Sequence, residues 1–232
     1  MFKQRSDKKE LLDAENIPEK DLFVNLKELN IINKYLGGYQ ISKNALQRIL
    51  KKGKTYSILD IGSGGGDTLK EIYKWGNKQN HNLYLYGLDL KQSCINYSIL
   101  NSPIKEIQFI CDNYLNINKH LKDLDIIHAS LFCHHLSEKE IIDLIHFAQL
   151  NNSILIINDL QRNKIAYYSI KLLTSLFSNS YLVKNDAPLS VLRGFMRKDW
   201  LLILDKSGAK NYSLTYKWAF RYELIIYPNE QR

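Results

Sequence analysis

The 232 residues predict an α/β fold: a central, mostly parallel sheet of seven strands, with helices ahead of the first strand and an antiparallel hairpin at the C-terminus. Three observations predict it. Between 55 and 160, strand-length apolar runs alternate with stretches of helical period, the pattern of βαβ units. The first strand runs directly into Gly62-Ser63-Gly64-Gly65-Gly66 and a helix start. The chain closes with two strand-like stretches, 211–220 and 222–227, joined at a tight bend near Arg221.

Each element follows from its residues. Positions 1–17 are polar and read as a partly mobile lead-in. Pro18-Glu19-Lys20-Asp21 opens a helix with proline in the first turn. Leu22, Leu26, Leu29, Ile32 and Leu36 share one face of it, and Gly37-Gly38 ends it. Ser42 is read as the cap of a second helix that carries Leu46, Ile49 and Leu50 and stops near Gly53. The strand at 56–61 leads to a helix at 67–79, the strand at 83–89 to a helix at 91–100, and the strand at 106–111 to a helical turn at 115–121. Asp125–Ser130 is the fourth strand. Ser137-Glu138-Lys139-Glu140 is a capping box, followed by a helix that buries Ile141, Ile142, Leu144, Ile145 and Leu150. Ser153–Asp159 is the fifth strand. The segment 162–196 exceeds a simple crossover and reads as a helical cap, with a second short helix beginning near Asp186-Ala187-Pro188. A helix at 198–206 precedes the hairpin. The chain thus divides into a helical extension, 1–54, and an α/β domain, 55–232, with the cap inserted at about 162–196.

The glycine stretch points to a ligand. Glycines accept positive φ and let backbone approach a bound group closely, and a plain turn needs fewer than four of them. A dinucleotide fingerprint would have glycine where Asp67 stands, and no lysine follows for a phosphate loop. Asp60-Ile61-Gly62-Ser63-Gly64-Gly65-Gly66 fits D-x-G-x-G-x-G instead. Two further strands end in acids, Leu83–Asp89 and Ile107–Asp112. An acid at such a strand end can accept hydrogen bonds from ribose hydroxyls.

These three strand ends resemble the class I methyltransferases that use S-adenosyl-L-methionine (SAM), and the likeness covers roughly residues 55–160. The resemblance implies a Rossmann-like sheet, SAM as cofactor and S-adenosyl-L-homocysteine (SAH) as product. It implies a cofactor site built from Asp60, Gly62, Ser63, Gly64, Gly65, Gly66, Asp67, Thr68, Asp89, Leu90, Asp112, Asn113, Ser130 and Leu131, with Asp89 on the ribose and Asp112 near the adenine. Helices ahead of the first strand, and the cap, cover the site in small-molecule members. The loop Ser130-Leu131-Phe132-Cys133-His134-His135-Leu136 faces the methyl group in the family. Ubiquinone-pathway relatives carry an acid followed by His there. This chain has His134 in place of the acid, so a metal held by an acid–His pair is not expected. His135, matching the His of that pattern, is the expected base, with His134 structural, because side chains alternate along an extended loop. Asp159, Arg162, Tyr168 and Arg193 are the expected acceptor contacts, and Tyr167, Tyr168, Leu172, Phe177, Tyr181, Leu189 and Phe195 the cap's apolar lining.

Composition narrows the partners. The net charge is +8, yet Lys27, Lys34, Lys43, Lys51, Lys70 and Lys74 are scattered singly. That reads as a solvated basic surface rather than a nucleic-acid face. The base-methylating Asn/Asp-Pro-Pro-Tyr/Phe signature is absent, since the fourth strand ends in Ser130-Leu131-Phe132-Cys133. No apolar run approaches the roughly 20 residues of a membrane helix. The basic N-terminus lacks the apolar segment of a secretory signal, and Cys94, Cys111 and Cys133 have no metal-like spacing, so a cytoplasmic protein with reduced thiols is expected. The expected acceptor is a small, largely apolar or aromatic molecule methylated on a hydroxyl. Ring C-methylation, nucleic-acid methylation and a non-catalytic SAM-binding subunit are the alternatives.

Overall fold

In the computed structural model, which describes residues 2–14, 16–102 and 104–229, seven strands form one sheet. They are β1 (Thr55–Ile61), β2 (Asn82–Asp89), β3 (Ile107–Cys111), β4 (Ile126–Ser130), β5 (Ile154–Leu160), β6 (Tyr212–Lys217) and β7 (Arg221–Ile226). Their order is β3-β2-β1-β4-β5-β7-β6, with the first five parallel and β7 antiparallel to both its neighbours. The order reverses between β1 and β4, which opens a crevice at their carboxyl ends.

The helices are α1 (Glu19–Tyr35), α2 (Gly38–Ile49), α3 (Asp67–Lys78), α4 (Gln92–Asn101), α5 (Ile117–His120), α6 (Glu138–Leu150), α7 (Lys164–Phe177), α8 (Tyr181–Arg193) and α9 (Arg197–Ser207). Central strands alternate between two cores. Leu59, Ile127, Leu155 and Ile157 pack on Ile141, Leu144 and Ile145 of α6 and Trp200 and Ile203 of α9. Ile58, Ile126 and Ile156 pack on Ala45 and Leu46 of α2 and Leu69 and Ile72 of α3. Burial on both faces is why these strands read as continuous apolar runs. Among the described residues, no helix is long and apolar enough to cross a membrane.

Five expectations need correction. The lead-in is fastened down, not loose. Arg5 donates to the carbonyls of His134 (3.1 Å), Leu136 (2.9 Å) and Arg193 (2.9 Å), and its guanidinium lies 4.2 Å from the centre of the Phe195 ring. The amides of Leu11 and Leu12 donate to Asp186, each at 2.8 Å. Ser42 does not cap α2: left-handed Gly37 precedes the helix, and Ser42 is buried inside it. Helix α8 starts at a Ser180 cap, so Pro188 lies within the helix instead of opening it. The hairpin bends at 218–220, where Ala219 and Phe220 are left-handed; Arg221 is already strand and is buried. Leu150, expected inside, is exposed at the end of α6.

Candidate active site

The carboxyl end of β1 continues into a loop in which Gly62, Gly64 and Gly66 all have positive φ. Glycine is required twice over at Gly62, where φ is 65° and a Cβ would come within 2.4 Å of the Phe132 ring. The loop is braced from the side. Asp89, at the end of β2, accepts from the Gly64 amide (2.9 Å) and the Lys91 amide (2.9 Å). Burial raises the Asp89 carboxyl above its usual range, and those two donors oppose the rise. Ser98 of α4 donates to the Gly64 carbonyl at 2.9 Å. Asp67 and Thr68 open α3, with Asp67 paired to Lys70 at 2.6 Å.

The other expected cofactor residues fall into two groups. Leu90 is exposed beside Asp89, and Asn113 caps the short helical turn that follows β3. Asp112 accepts from Asn116 (2.8 Å), His120 (2.6 Å) and the Asn113 amide, bonds that hold its carboxyl down at about 2. Ser63 and Ser130 stand at adjacent strand ends with buried hydroxyls that have no hydrogen-bond partner. Orphaned hydroxyls beside a glycine cradle fit a polar ligand lying across the loop. Asp60 departs from its expected role. It is buried in the sheet and accepts from His128 Nδ1 (2.7 Å), while His128 Nε2 bonds Ser42 (2.8 Å). Asp60 therefore belongs to a polar network beneath the loop.

The end of β4 joins this loop to a second site. Leu131 takes a left-handed backbone (φ 53°), a strained choice for leucine, and Phe132 lies on Gly62. Cys133–His135 then winds into a 3-10 turn. Successive side chains there are about 120° apart, not alternating as in an extended loop. The two imidazoles consequently lie together, centroids 4.3 Å apart, contrary to the expectation that they point oppositely. His134 is buried, and its Nδ1 donates to Asp159 Oδ1 at 2.7 Å. His135 is half-buried, and its Nδ1 donates to Asp13 at 3.0 Å. Burial would raise Asp159, but the charge and hydrogen bond of His134 more than offset it, and the net direction is down. Glu10 faces the Nε2 edge of both rings, with oxygens 3.6 Å from His134 Nε2 and 3.8 Å from His135 Nε2. Burial pushes the Glu10 carboxyl up to about 7, against the opposing pull of His135, Ser190 and Arg193.

These groups face a cavity of about 310 Å³. Its walls are Leu29 and Ile32 of α1, Leu36 just past its end, the aliphatic side of α7 and α8, and Trp218 and Phe220 of the hairpin bend. The expected acceptor contacts do not line it. Asp159 is fully buried behind His134. Arg162 is held by the Phe2 and Gly194 carbonyls and by Asp199. Arg193 binds the His134 and His135 carbonyls together with Asp13. Tyr168 lies outside, 60 % exposed. The expected aromatic lining is absent from it too: Tyr181 points outward, Phe195 is stacked on Trp200 in the core, and Phe177, largely exposed, borders a second, more open groove instead. The apolar periodicity of α7 is wide, and the sequence does not say which side turns inward. Glu10 and Asp13 carry no motif, and only their contacts reveal them.

No protein-family model matches the chain, and no curated protein does. Solved structures do. The plantazolicin methyltransferase BpumL in complex with SAH is 18% identical, with a TM-score of 0.58 over 90% of this chain and 99% of that one. A SAM-dependent methyltransferase from Aquifex aeolicus is 15% identical, with a TM-score of 0.59 over 91% and 98%. Human N-acetylserotonin methyltransferase in complex with SAM is 13% identical, with a TM-score of 0.62 over 91% of this chain and 56% of that one. The strand order, the terminal hairpin and these likenesses together identify the fold as that of the class I SAM-dependent methyltransferases.

Proposed function

We propose that this chain transfers the methyl group of SAM to an oxygen nucleophile on a small, largely apolar acceptor. The observation that carries the reading is the shared wall at the end of β4. Phe132 covers the glycine loop while Leu131, His134 and His135, one and two or three residues away, line the cavity. A donor on the loop and an acceptor in the cavity would thus meet across one short segment. Methyl transfer needs chiefly that alignment and the removal of a proton.

The cavity's chemistry supports the acceptor class. Its walls are mostly aliphatic, with a polar patch of Glu10, His134, His135, Asp186 and Ser190. Ile32, Leu36, Ile170 and Leu173 also border a second, more open apolar groove of about 330 Å³ between α1 and α7. A hydroxyl at the polar patch with a hydrocarbon part running toward that groove matches both. A phenol, with a pKa near 10, is mostly neutral at pH 7 and needs help to lose its proton. The Glu10–His134–His135 group is where that help would come from. His134, held by buried Asp159, is better oriented for it than His135, which reverses the order expected from the loop pattern.

Methyl-labelled SAM incubated with a panel of alkylated phenols and quinols tests the reading. Label recovered in an ether bond is the expected outcome. Label on a ring carbon would move the assignment to C-methylation. Failure of SAH to bind in calorimetry would overturn it.

A further inference from the structure

We propose that Glu10, His134 and His135 form a site for one divalent transition-metal ion of the zinc or iron(II) type, open to the acceptor cavity. The ligand atoms of the three residues lie within 4.8 Å of one another. Each imidazole is turned by a carboxylate on its far nitrogen: Asp159 on His134 at 2.7 Å, Asp13 on His135 at 3.0 Å. A neutral imidazole that donates Nδ1–H to a carboxylate presents its Nε2 lone pair on the other side, the arrangement that orients metal-ligating histidines. Both Nε2 atoms face the same carboxylate, at 3.6 and 3.8 Å, too far for hydrogen bonds to it. An ion with bonds of about 2.0–2.2 Å holds neighbouring ligand atoms roughly 3–3.5 Å apart, so closure needs only small shifts.

Charge agrees with this. Glu10, Asp13, Asp159 and Asp186 surround the group, against the guanidiniums of Arg5 and Arg193. With both imidazoles neutral, as ligation requires, four carboxylates face two guanidiniums, and a divalent ion supplies the positive charge that two imidazolium rings would otherwise carry. Two imidazoles and one carboxylate suit transition metals, and magnesium and calcium prefer oxygen ligands. Three protein ligands leave positions free, and all three residues line the cavity. One ligand comes from the lead-in, so a bound ion would also tie residues 2–14 to the turn after β4.

The role in turnover rests on the reading above; the binding itself does not. With the ion bound, His134 would serve as a ligand and not as the base: an acceptor hydroxyl on the ion would release its proton to solvent, because coordination favours the anion. The oxygen then forms the C–O bond as the methyl carbon–sulfur bond breaks, its electron pair staying on sulfur. The products are a neutral ether and a neutral thioether, and the ion keeps its oxidation state.

The 232-residue chain, stripped with a chelator and desalted, should be titrated calorimetrically with Zn²⁺, and separately with Co²⁺ by visible absorption. One ion per chain is expected, with tenfold or greater loss of affinity in Glu10→Gln and His135→Ala. Cys111→Ser and His81→Ala, which change donors elsewhere in the chain, should leave binding unaltered. Circular dichroism on each variant checks that it is folded. No stoichiometric binding, or binding that survives Glu10→Gln and His135→Ala together, overturns the site. If no ion binds while His134→Ala still loses turnover, the metal proposal falls and the methyltransferase reading stands. If the ion binds and no methyl transfer is found with any acceptor, the site stands and that reading falls.

Discussion

The two ends of the central crevice are built in opposite ways. The glycine-loop end takes its parts from short, contiguous pieces: Gly62–Asp67, Asp89-Leu90 and Asp112-Asn113, each at or directly after the end of a strand. The cavity end gathers Glu10, Leu36, His134, Ser190 and Phe220 from five separate segments spread over most of the chain. A locally encoded site keeps its shape as long as its strands pair. An assembled site depends on every segment that meets there. Substitutions at the two ends should therefore fail differently.

The largest effect is expected at the assembled end. His134→Ala removes the Asp159-oriented imidazole, and turnover on the acceptor should fall by roughly 10²–10⁴-fold. SAH affinity, read by calorimetry, should stay within a few-fold of wild type. Equal losses of turnover and cofactor binding would show that the two ends are not separable.

Next comes the local end. Asp89→Ala removes an acceptor for two backbone amides and for the expected ribose contact. Loss of charge-assisted hydrogen bonds costs roughly 1.5–3 kcal/mol, or about ten- to a hundred-fold in SAH affinity. Unchanged affinity would remove Asp89 from the cofactor site.

A third test concerns how the assembled end is held. Arg5 clips the lead-in to three carbonyls and to the face of Phe195. Arg5→Ala should lower the urea midpoint with an unchanged slope and weaken the acceptor's KM more than SAH binding. A matching loss in SAH affinity would mean that the lead-in also shapes the cofactor end.

The smallest effect lies with Asp112. Its carboxyl is held down at about 2 by Asn116, His120 and the Asn113 amide, below the usual unfolded value near 4. A depressed acid contributes stability that is present above its unfolded pKa and lost as pH falls through its folded one. The stability difference between wild type and Asp112→Asn should be steady above about pH 4–5 and shrink toward pH 2. A difference independent of pH across that window would remove the carboxylate's charge from the account.

Much of this was legible beforehand, and the failures have physical causes. Strands were readable because a strand covered on both faces must be apolar throughout, as Ile154–Ile157 and Ile58–Leu59 are. The Ser137–Glu140 capping box formed with both of its bonds because it is a local arrangement of four residues. The error at Ser42 came from reading a hydroxyl as a cap when it belongs to a buried network with His128 and Asn158. The error at Pro188 came from treating proline as a helix start, whereas the Ser180 cap had already nucleated the turn. The expectation that the two histidines point oppositely failed, because the loop is a 3-10 turn that brings both rings to one side and not an extended segment.

By itself, the sequence determined the alternation of strands and helices, the glycine loop and the acids at the strand ends. All of these depend on neighbours within a few residues, where side-chain period and backbone freedom act directly. Only the tertiary structure decided which histidine meets Asp159, which side of α7 turns inward, and that Glu10 and Asp13 reach the same two rings. Those contacts join residues more than a hundred positions apart, such as Asp13 and His135. No local preference encodes such a pairing. It arises when the lead-in, the cap and the turn after β4 are packed together, and burial then leaves each charged group only the partners that the fold supplies.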